Sequence, residues 1–189
     1  MNEEFLIYQA KSFYNAYIML EQIKNEEDPL LLYVPMLVNG AFAVELILKA
    51  ILTKQKIEYK NEHNLKVLFD KLPLDIQKEL WDFLEKKKPE YADHEKRETE
   101  LIIMSDAFVK WRYCFEDKNA PAFDSSFLSA FANAAIYIMF HLGYNAFFVE
   151  SNIPTETYDE IEKKFEDNRN SFFQSSTKYI NSKEKGSKV

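Results

Sequence analysis

With 189 residues, 47% of them hydrophobic, the chain suits one domain with one core. It has only 3 Gly and 6 Pro, so tight turns are scarce and long helices are favoured over β-hairpins. The formal net charge of −7 argues against a broad nucleic-acid-binding surface, so lysines 86–88 form either a local basic strip or an ordinary solvated face.

Hydrophobic periodicity predicts a helix over about residues 3–25 and a second one from Pro29 to about Lys54. Asp28 is suited to cap the second helix, because Pro29 at the first helical position loses no hydrogen bond. This second helix is apolar almost all round, so we expect it to be deeply buried. Pro35 inside it indicates a kink or a delayed start.

The remainder of the chain is also predicted to be helical. Residues 90–97 are rich in charge and are expected to form a surface loop. Asp124 or Ser125 is suited to cap a long helix without charged residues. We find no alternation typical of strands, so the fold is predicted to be all-α. The predicted helices are about 63–71, 75–88, 98–116 and 124–150, with a last one after Pro154.

Cysteine content and hydropathy indicate the compartment. Cys114 is the only cysteine, so an intramolecular disulfide is impossible and a reducing cytosol is the natural environment. The chain begins Met-Asn-Glu-Glu, which is acidic instead of basic, so we expect no secretory leader. Residues 125–149 carry no charged side chain, but their Ser, Asn and His residues and acidic flanks favour a core helix over a membrane span. We therefore expect a cytoplasmic protein with no membrane partner.

Two charged residues in apolar helices define a candidate polar cluster. Glu45 lies in the second predicted helix, and Arg112 lies on the apolar stripe of the 98–116 helix. A buried charge without a partner costs several kcal/mol, so we predict that the two helices pack side by side and that these charges pair. Such a cluster is either an internal ion pair that fixes helix register or a functional pocket. Its further candidate members are Lys49, His63, Tyr113 and Glu116.

The order of these residues resembles a known family. The motifs are E-x-x-x-K (Glu45, Lys49), H-N-L-x-x-L (His63, Asn64, Leu65, Leu68) and R-Y-x-x-E (Arg112, Tyr113, Glu116). Over about residues 1–150, this arrangement looks like the HEPN superfamily of bacterial all-α domains, named for nucleotide binding in higher eukaryotes and prokaryotes.

The resemblance implies an up-and-down helical bundle of four to five main helices plus a C-terminal helix. It also implies a homodimer in a bacterial defence or toxin–antitoxin context. RNA or a nucleotide would be the ligand, and a cognate nucleotidyltransferase-like antitoxin would be a partner protein. The corresponding regions are the HEPN-like bundle at 1–151, a C-terminal helix at 152–181 packing on it, and a disordered tail at 182–189.

Many HEPN proteins are metal-independent ribonucleases whose signature is an arginine followed after four to six residues by a histidine. None of Arg97, Arg112 and Arg169 has a histidine at that distance. We also find no histidine spacing typical of two metal ligands, so neither a metal nor another cofactor is predicted. The missing signature argues against a standard HEPN ribonuclease.

Three hypotheses follow. The first is an interaction or nucleotide/RNA-binding module, with Lys49, Tyr113 and Glu116 as binding residues. The second is a divergent ribonuclease that uses Arg112 to bind phosphate and His63 as acid or base, with Glu45 orienting one of them. The third is a cluster that only stabilises the bundle.

Overall fold

α-Helices form the framework of the chain in the computed structural model, which describes residues 3–23, 29–110 and 124–144 and omits the side chains of residues 23, 29–31 and 106–110. These residues belong to one compact unit, Met1–Tyr144. No strand occurs among them, so the all-α prediction is confirmed. The helices are α1 (Glu3–Ile23), α2 (Pro29–Lys54), α3 (Leu65–Asp70), α4 (Leu74–Lys87), α5 (His94–Lys110) and α6 (Ser125–His141), with a 3₁₀ turn at Pro89–Tyr91.

Helix α2 is the element against which four of the other five helices pack. It contacts α1, α3, α5 and α6, and from Gly40 to Leu52 every residue except Phe42 is buried. The predicted burial and the start at Pro29 are confirmed. The predicted delayed start is wrong, because the helix continues through the exposed Pro35. The side-chain amide of Asn39 donates a hydrogen bond to the carbonyl of Pro35 at 2.7 Å.

Part of α2, Leu32–Lys54, is long and apolar enough to cross a membrane by length and composition alone. However, 78% of its most apolar window is buried inside the structure. A core helix that is mostly buried against its neighbours has this property without any lipid. The structure is therefore consistent with a soluble protein.

The predicted surface loop at 90–97 is wrong. Tyr91 is buried in the 3₁₀ turn, with its ring centre 5.1 Å from that of Phe127. Helix α5 already begins at His94, because the Asp93 carboxylate accepts hydrogen bonds from the backbone N–H groups of Glu95 and Lys96 at 2.8 and 3.2 Å. The charged composition of this segment was correctly identified as exposed, but its capping residue was overlooked.

Helix α6 begins as predicted and ends earlier than predicted. Asp124 is the N-cap and accepts from the N–H of Ser126 at 2.9 Å. The helix ends at His141, because Gly143 adopts a left-handed φ of 84°. The N–H of Gly143 bonds to the carbonyl of Phe140 and that of Tyr144 to the carbonyl of Met139, which is the pattern of a Schellman cap. The predicted continuation of this helix to about residue 150 is therefore wrong for residues 142–144. Residues 145–150 lie outside the described residues.

The remaining predicted bounds differ little or lie elsewhere. The short helix and the 75–88 helix agree with α3 and α4 to within a few residues. Residues 111–116, at the end of the predicted 98–116 helix, lie outside the described residues. So do Asp28 and the predicted domain boundaries at 151 and 181.

Gly40 lies where α2 passes α1 and α6 at close range. A Cβ atom at this position would lie 2.7 Å from Cδ2 of Leu128 and 2.9 Å from Cδ2 of Tyr17. Both distances are shorter than a normal van der Waals contact, so alanine would force the neighbouring side chains to move. The glycine therefore permits the close packing of three helices.

We expect Gly40→Ala to lower the free energy of unfolding in the wild-type background, because overpacking costs about 1–3 kcal/mol and exceeds the higher helix propensity of alanine. In a Leu128→Ala background the shorter of the two close contacts, that with Leu128, is removed and only that with Tyr17 remains, so the cost should fall by about 1 kcal/mol. Urea unfolding of the four proteins measures this coupling.

The control is Gly143→Ala, where no atom lies within 4 Å of the added Cβ, so its cost should be independent of Leu128. Equal costs of Gly40→Ala in both backgrounds would contradict the prediction.

Candidate functional site

Glu45 and Lys49 form a buried ion pair within α2. They lie one turn apart, and Nζ of Lys49 is 2.6 Å from Oε1 of Glu45. The residues are only 1% and 8% exposed. Because the two charges are almost completely desolvated, each depends on the other for compensation. The predicted association of Lys49 with Glu45 is confirmed.

His63 reaches the same carboxylate from the connection between α2 and α3. Its Nδ1 lies 2.9 Å from Oε1 of Glu45, although 65% of the histidine side chain is exposed. A carboxylate only accepts hydrogen bonds, so Nδ1 carries the donated proton when Glu45 is ionised. The contact therefore joins a buried charge to a ring that faces solvent.

The backbone around His63 is fixed by its neighbours. Oε1 of Glu62 accepts from the N–H of His63 at 2.9 Å and from that of Asn64 at 2.8 Å. The bond from Asn64 contributes most to holding the pKa of Glu62 below its ordinary value. Oδ1 of Asn64 in turn accepts from the N–H of Val67 and caps α3. The sequence analysis did not identify Glu62 as part of this arrangement.

Helix α3 is held to α5 by Ser105. Its hydroxyl accepts from the N–H of Lys66 at 2.8 Å and donates to the carbonyl of Leu101 at 2.7 Å. Because α5 and α3 also pack on α2, these three helices contact one another next to the segment that carries His63. Helix α5 packs on α2, but the run 111–116 that was predicted to pack beside α2 lies outside the described residues, so that packing stays a prediction.

Two hydroxyl groups lie beside the ion pair. Thr53 donates to the carbonyl of Lys49 at 2.8 Å, and its oxygen lies 2.9 Å from the hydroxyl of Tyr59. The ring centre of Tyr59 is 5.9 Å from Nζ of Lys49. The ring of Tyr59 therefore lies on one side of the ammonium group of Lys49.

Arg112, Tyr113 and Glu116 lie outside the described residues. The proposed pairing of Glu45 with Arg112 therefore stays a prediction. Within the described part of the chain, Oε2 of Glu45 is buried and has no hydrogen-bond partner. Both contacts of the carboxylate are made by its other oxygen.

A second polar cluster lies at the start of α6 and was not predicted. Oδ2 of Asp124 accepts from the hydroxyl of Tyr91 at 2.5 Å. Burial, followed by this hydrogen bond, raises the pKa of Tyr91. Burial, followed by the charge of Asp124, raises the pKa of Glu100. The same two causes raise the pKa of Tyr33. The cluster joins the 3₁₀ turn to the N-terminus of α6.

The lysines 86–88 lie at the end of α4. Lys86 and Lys87 occupy its last turn and are exposed, while Nζ of Lys88 lies 3.9 Å from a carboxylate oxygen of Glu90. Positive charge at a helix C-terminus is favourable by itself because of the helix dipole. Their position is therefore explained without a nucleic acid.

Comparisons with protein-family models, curated proteins and solved structures gave no significant match to the chain. In residues 3–23, 29–110 and 124–144, no group of three or more His, Cys, Asp and Glu side chains is arranged to hold a metal ion. The functional interpretation therefore depends on the geometry around Glu45.

We expect Glu45→Ala to lower the free energy of unfolding by about 3–5 kcal/mol, because it leaves the buried ammonium of Lys49 without a counter-charge. His63→Ala should cost at most about 1 kcal/mol, because the exposed ring contributes little burial. Urea unfolding followed by circular dichroism measures both.

The matched control is Asp70→Ala, which removes an exposed partner from the pair Lys66–Asp70 at the same i, i+4 spacing. It should cost between 0 and about 1 kcal/mol. If Glu45→Ala costs no more than this control, the Glu45–Lys49 pair is not the buried interaction described above.

Glu62 and Glu100 should respond to pH with opposite signs. The lowered pKa of Glu62 contributes stability that is present above its ordinary value of 4.5 and is lost as pH falls below it. The raised pKa of Glu100 has the opposite effect, because the folded state retains its proton to higher pH and loses stability as pH rises above 4.5.

At about pH 7, Glu62→Gln should therefore lower the unfolding free energy and Glu100→Gln should raise it, each by no more than about 0.5 kcal/mol because both carboxylates are screened by solvent. Both differences from wild type should shrink as the solution is made more acidic. Urea midpoints measured across this pH range test the signs. The same sign for both variants at neutral pH would contradict the assignment.

Proposed function

We propose that the chain is a HEPN-like helical module that binds RNA or a nucleotide at the surface around His63. The observation that supports this is that residues of two motifs contact the same oxygen atom. Lys49 of the E-x-x-x-K motif and His63 of the H-N-L-x-x-L motif both contact Oε1 of Glu45. These motifs carry the resemblance to the family, and they are separated in sequence by the polar connection 55–62.

The chemistry of the exposed ring suits such a ligand. His63 can stack on a base, and its Nε2 can exchange a hydrogen bond with a base edge, a ribose hydroxyl or a phosphate. The buried carboxylate restricts the ring to one orientation, which lowers the entropy lost when a ligand binds. In this proposal the protein is a cytoplasmic homodimer in a bacterial defence or toxin–antitoxin system, with a nucleotidyltransferase-like antitoxin as partner protein.

The contact of 2.9 Å between Nδ1 of His63 and Oε1 of Glu45 favours a divergent ribonuclease as a second candidate function. An imidazole held at Nδ1 by a carboxylate leaves Nε2 to accept or donate a proton, which is the task of a general acid or base. Arg112 is the candidate phosphate-binding residue in this alternative. The sequence analysis expected Glu45 to orient either Arg112 or His63. In the structure Glu45 contacts His63.

The proposal is tested with a fluorescently labelled single-stranded RNA, by measuring both binding and cleavage. We expect wild type to bind, and His63→Ala to bind about 10–100-fold more weakly, because stacking of a base on an aromatic ring contributes about 1–3 kcal/mol. Cleavage by wild type that is lost in His63→Ala and in Arg112→Ala would favour the ribonuclease.

The matched control is His141→Ala. His141 also contacts a carboxylate, that of Glu79, but it lies at the end of α6. This variant should bind RNA as wild type does. If wild type neither binds nor cleaves RNA or nucleotides, or if both histidine variants bind equally well, the proposal is wrong. The cluster would then only stabilise the bundle.

A further inference from the structure

Lysine and histidine share one oxygen atom of Glu45. Nζ of Lys49 lies 2.6 Å and Nδ1 of His63 lies 2.9 Å from Oε1. Within the described residues, Oε2 has no hydrogen-bond partner. A change in the charge of this carboxyl group would therefore act directly on the bond to the histidine.

The protonation of the carboxyl group decides which nitrogen of the neutral ring carries the proton. An ionised Glu45 can only accept, so the proton must lie on Nδ1 and the lone pair on Nε2. A protonated Glu45 could instead donate to a lone pair on Nδ1, and the ring proton would then lie on Nε2. The two tautomers present opposite hydrogen-bonding groups to solvent at Nε2.

The charge of Lys49 favours the first arrangement. Glu45 is 1% exposed, so water does little to stabilise a negative charge there, and a nearby cation must do so. Glu four residues before Lys on a helix is also the favoured order for such a pair. Among the described residues, no hydrogen bond joins Lys49 to His63. Lys49 therefore acts on the histidine through the carboxylate of Glu45.

We propose that Lys49 is a positioning residue that fixes the tautomer of His63 through Glu45, so that Nε2 presents a lone pair to solvent. The site then accepts a hydrogen bond or a proton from its ligand at this atom. This consequence for the ligand rests on the function proposed above, whereas the tautomer itself does not. The ligand class that fits is one with an N–H or O–H donor, such as a base amino group or a ribose hydroxyl.

The experiment is a long-range ¹H–¹⁵N correlation spectrum of the full chain labelled with ¹⁵N-histidine, recorded at about pH 9, where an ordinary imidazole is neutral. A protonated ring nitrogen and one with a lone pair resonate far apart. The loss of one ring system in His63→Asn assigns the signals. We expect wild type to show a proton on Nδ1 of His63. Lys49→Met should shift the population toward a proton on Nε2, because a carboxylate that is no longer anchored by the ammonium loses its contact with the ring. Lys49→Arg should restore the wild-type pattern.

His94 and His141 serve as references in the same spectra, because neither contacts Glu45 and their patterns should stay the same in every variant. A proton on Nε2 of His63 in wild type would overturn the proposal, and this result needs no variant. If Lys49→Met is folded and keeps the wild-type pattern, the proposal is also wrong. If Lys49→Met does not fold, wild type and Lys49→Arg must both show a proton on Nδ1, and any other pattern overturns the proposal.

The outcomes are independent of the RNA experiment. If the tautomer responds to Lys49 and no RNA or nucleotide binds, the positioning role holds and the proposed function fails. If wild type binds or cleaves RNA but the tautomer does not respond, only the positioning role fails.

Discussion

The negative charge of Glu45 inside an apolar helix is the constraint on which this part of the structure depends. Helix α2 contacts four other helices, so a carboxylate in its middle cannot reach bulk water. The side chain of Lys49 compensates the charge from within the same helix, and His63 adds a hydrogen bond from outside it. The connection after α2 must therefore return along the helix for about two turns instead of leaving it.

The backbone of that connection is shaped accordingly. Lys56 and Asn61 both adopt left-handed conformations, with φ of 58° and 60°. Lys56 lies in a Schellman cap that ends α2, since the N–H of Ile57 bonds to the carbonyl of Leu52. Such φ values are unfavourable for lysine and better tolerated by asparagine. Next along the chain, the carboxylate of Glu62 accepts hydrogen bonds from the backbone N–H groups of His63 and Asn64. These local hydrogen bonds hold His63 beside the buried carboxylate of Glu45.

Local signals made much of the fold predictable, and long-range contacts explain the remainder. The start of α2 at Pro29 and the cap at Asp124 follow from the chemistry of a few adjacent residues. The burial of Tyr91 depends on Phe127 and Asp124, more than thirty residues away, which composition cannot reveal. Sequence showed that Glu45 needs a positive or donating partner. It named His63 among the candidate members of the cluster, but it could not show that His63 contacts Glu45, because histidine in a polar loop has no pattern that points to a distant carboxylate. Gly143, in contrast, is a helix-stop signal that can be read from the sequence. It was overlooked because the uncharged stretch continues beyond it to residue 149.

The difference in exposure along the cluster argues that it has a role beyond stability. Among the described residues, Lys49 is sufficient to neutralise Glu45, so the charge balance there does not require His63. A register-fixing ion pair would bury its partners, and a surface pair would expose both, as His141 and Glu79 do at 30% and 38%. Here one partner is 1% exposed and the other 65%. The hydrogen bond between the buried carboxylate and the exposed imidazole contributes little to folding. It does provide a ligand with a nitrogen whose position and hydrogen-bonding character are set in advance.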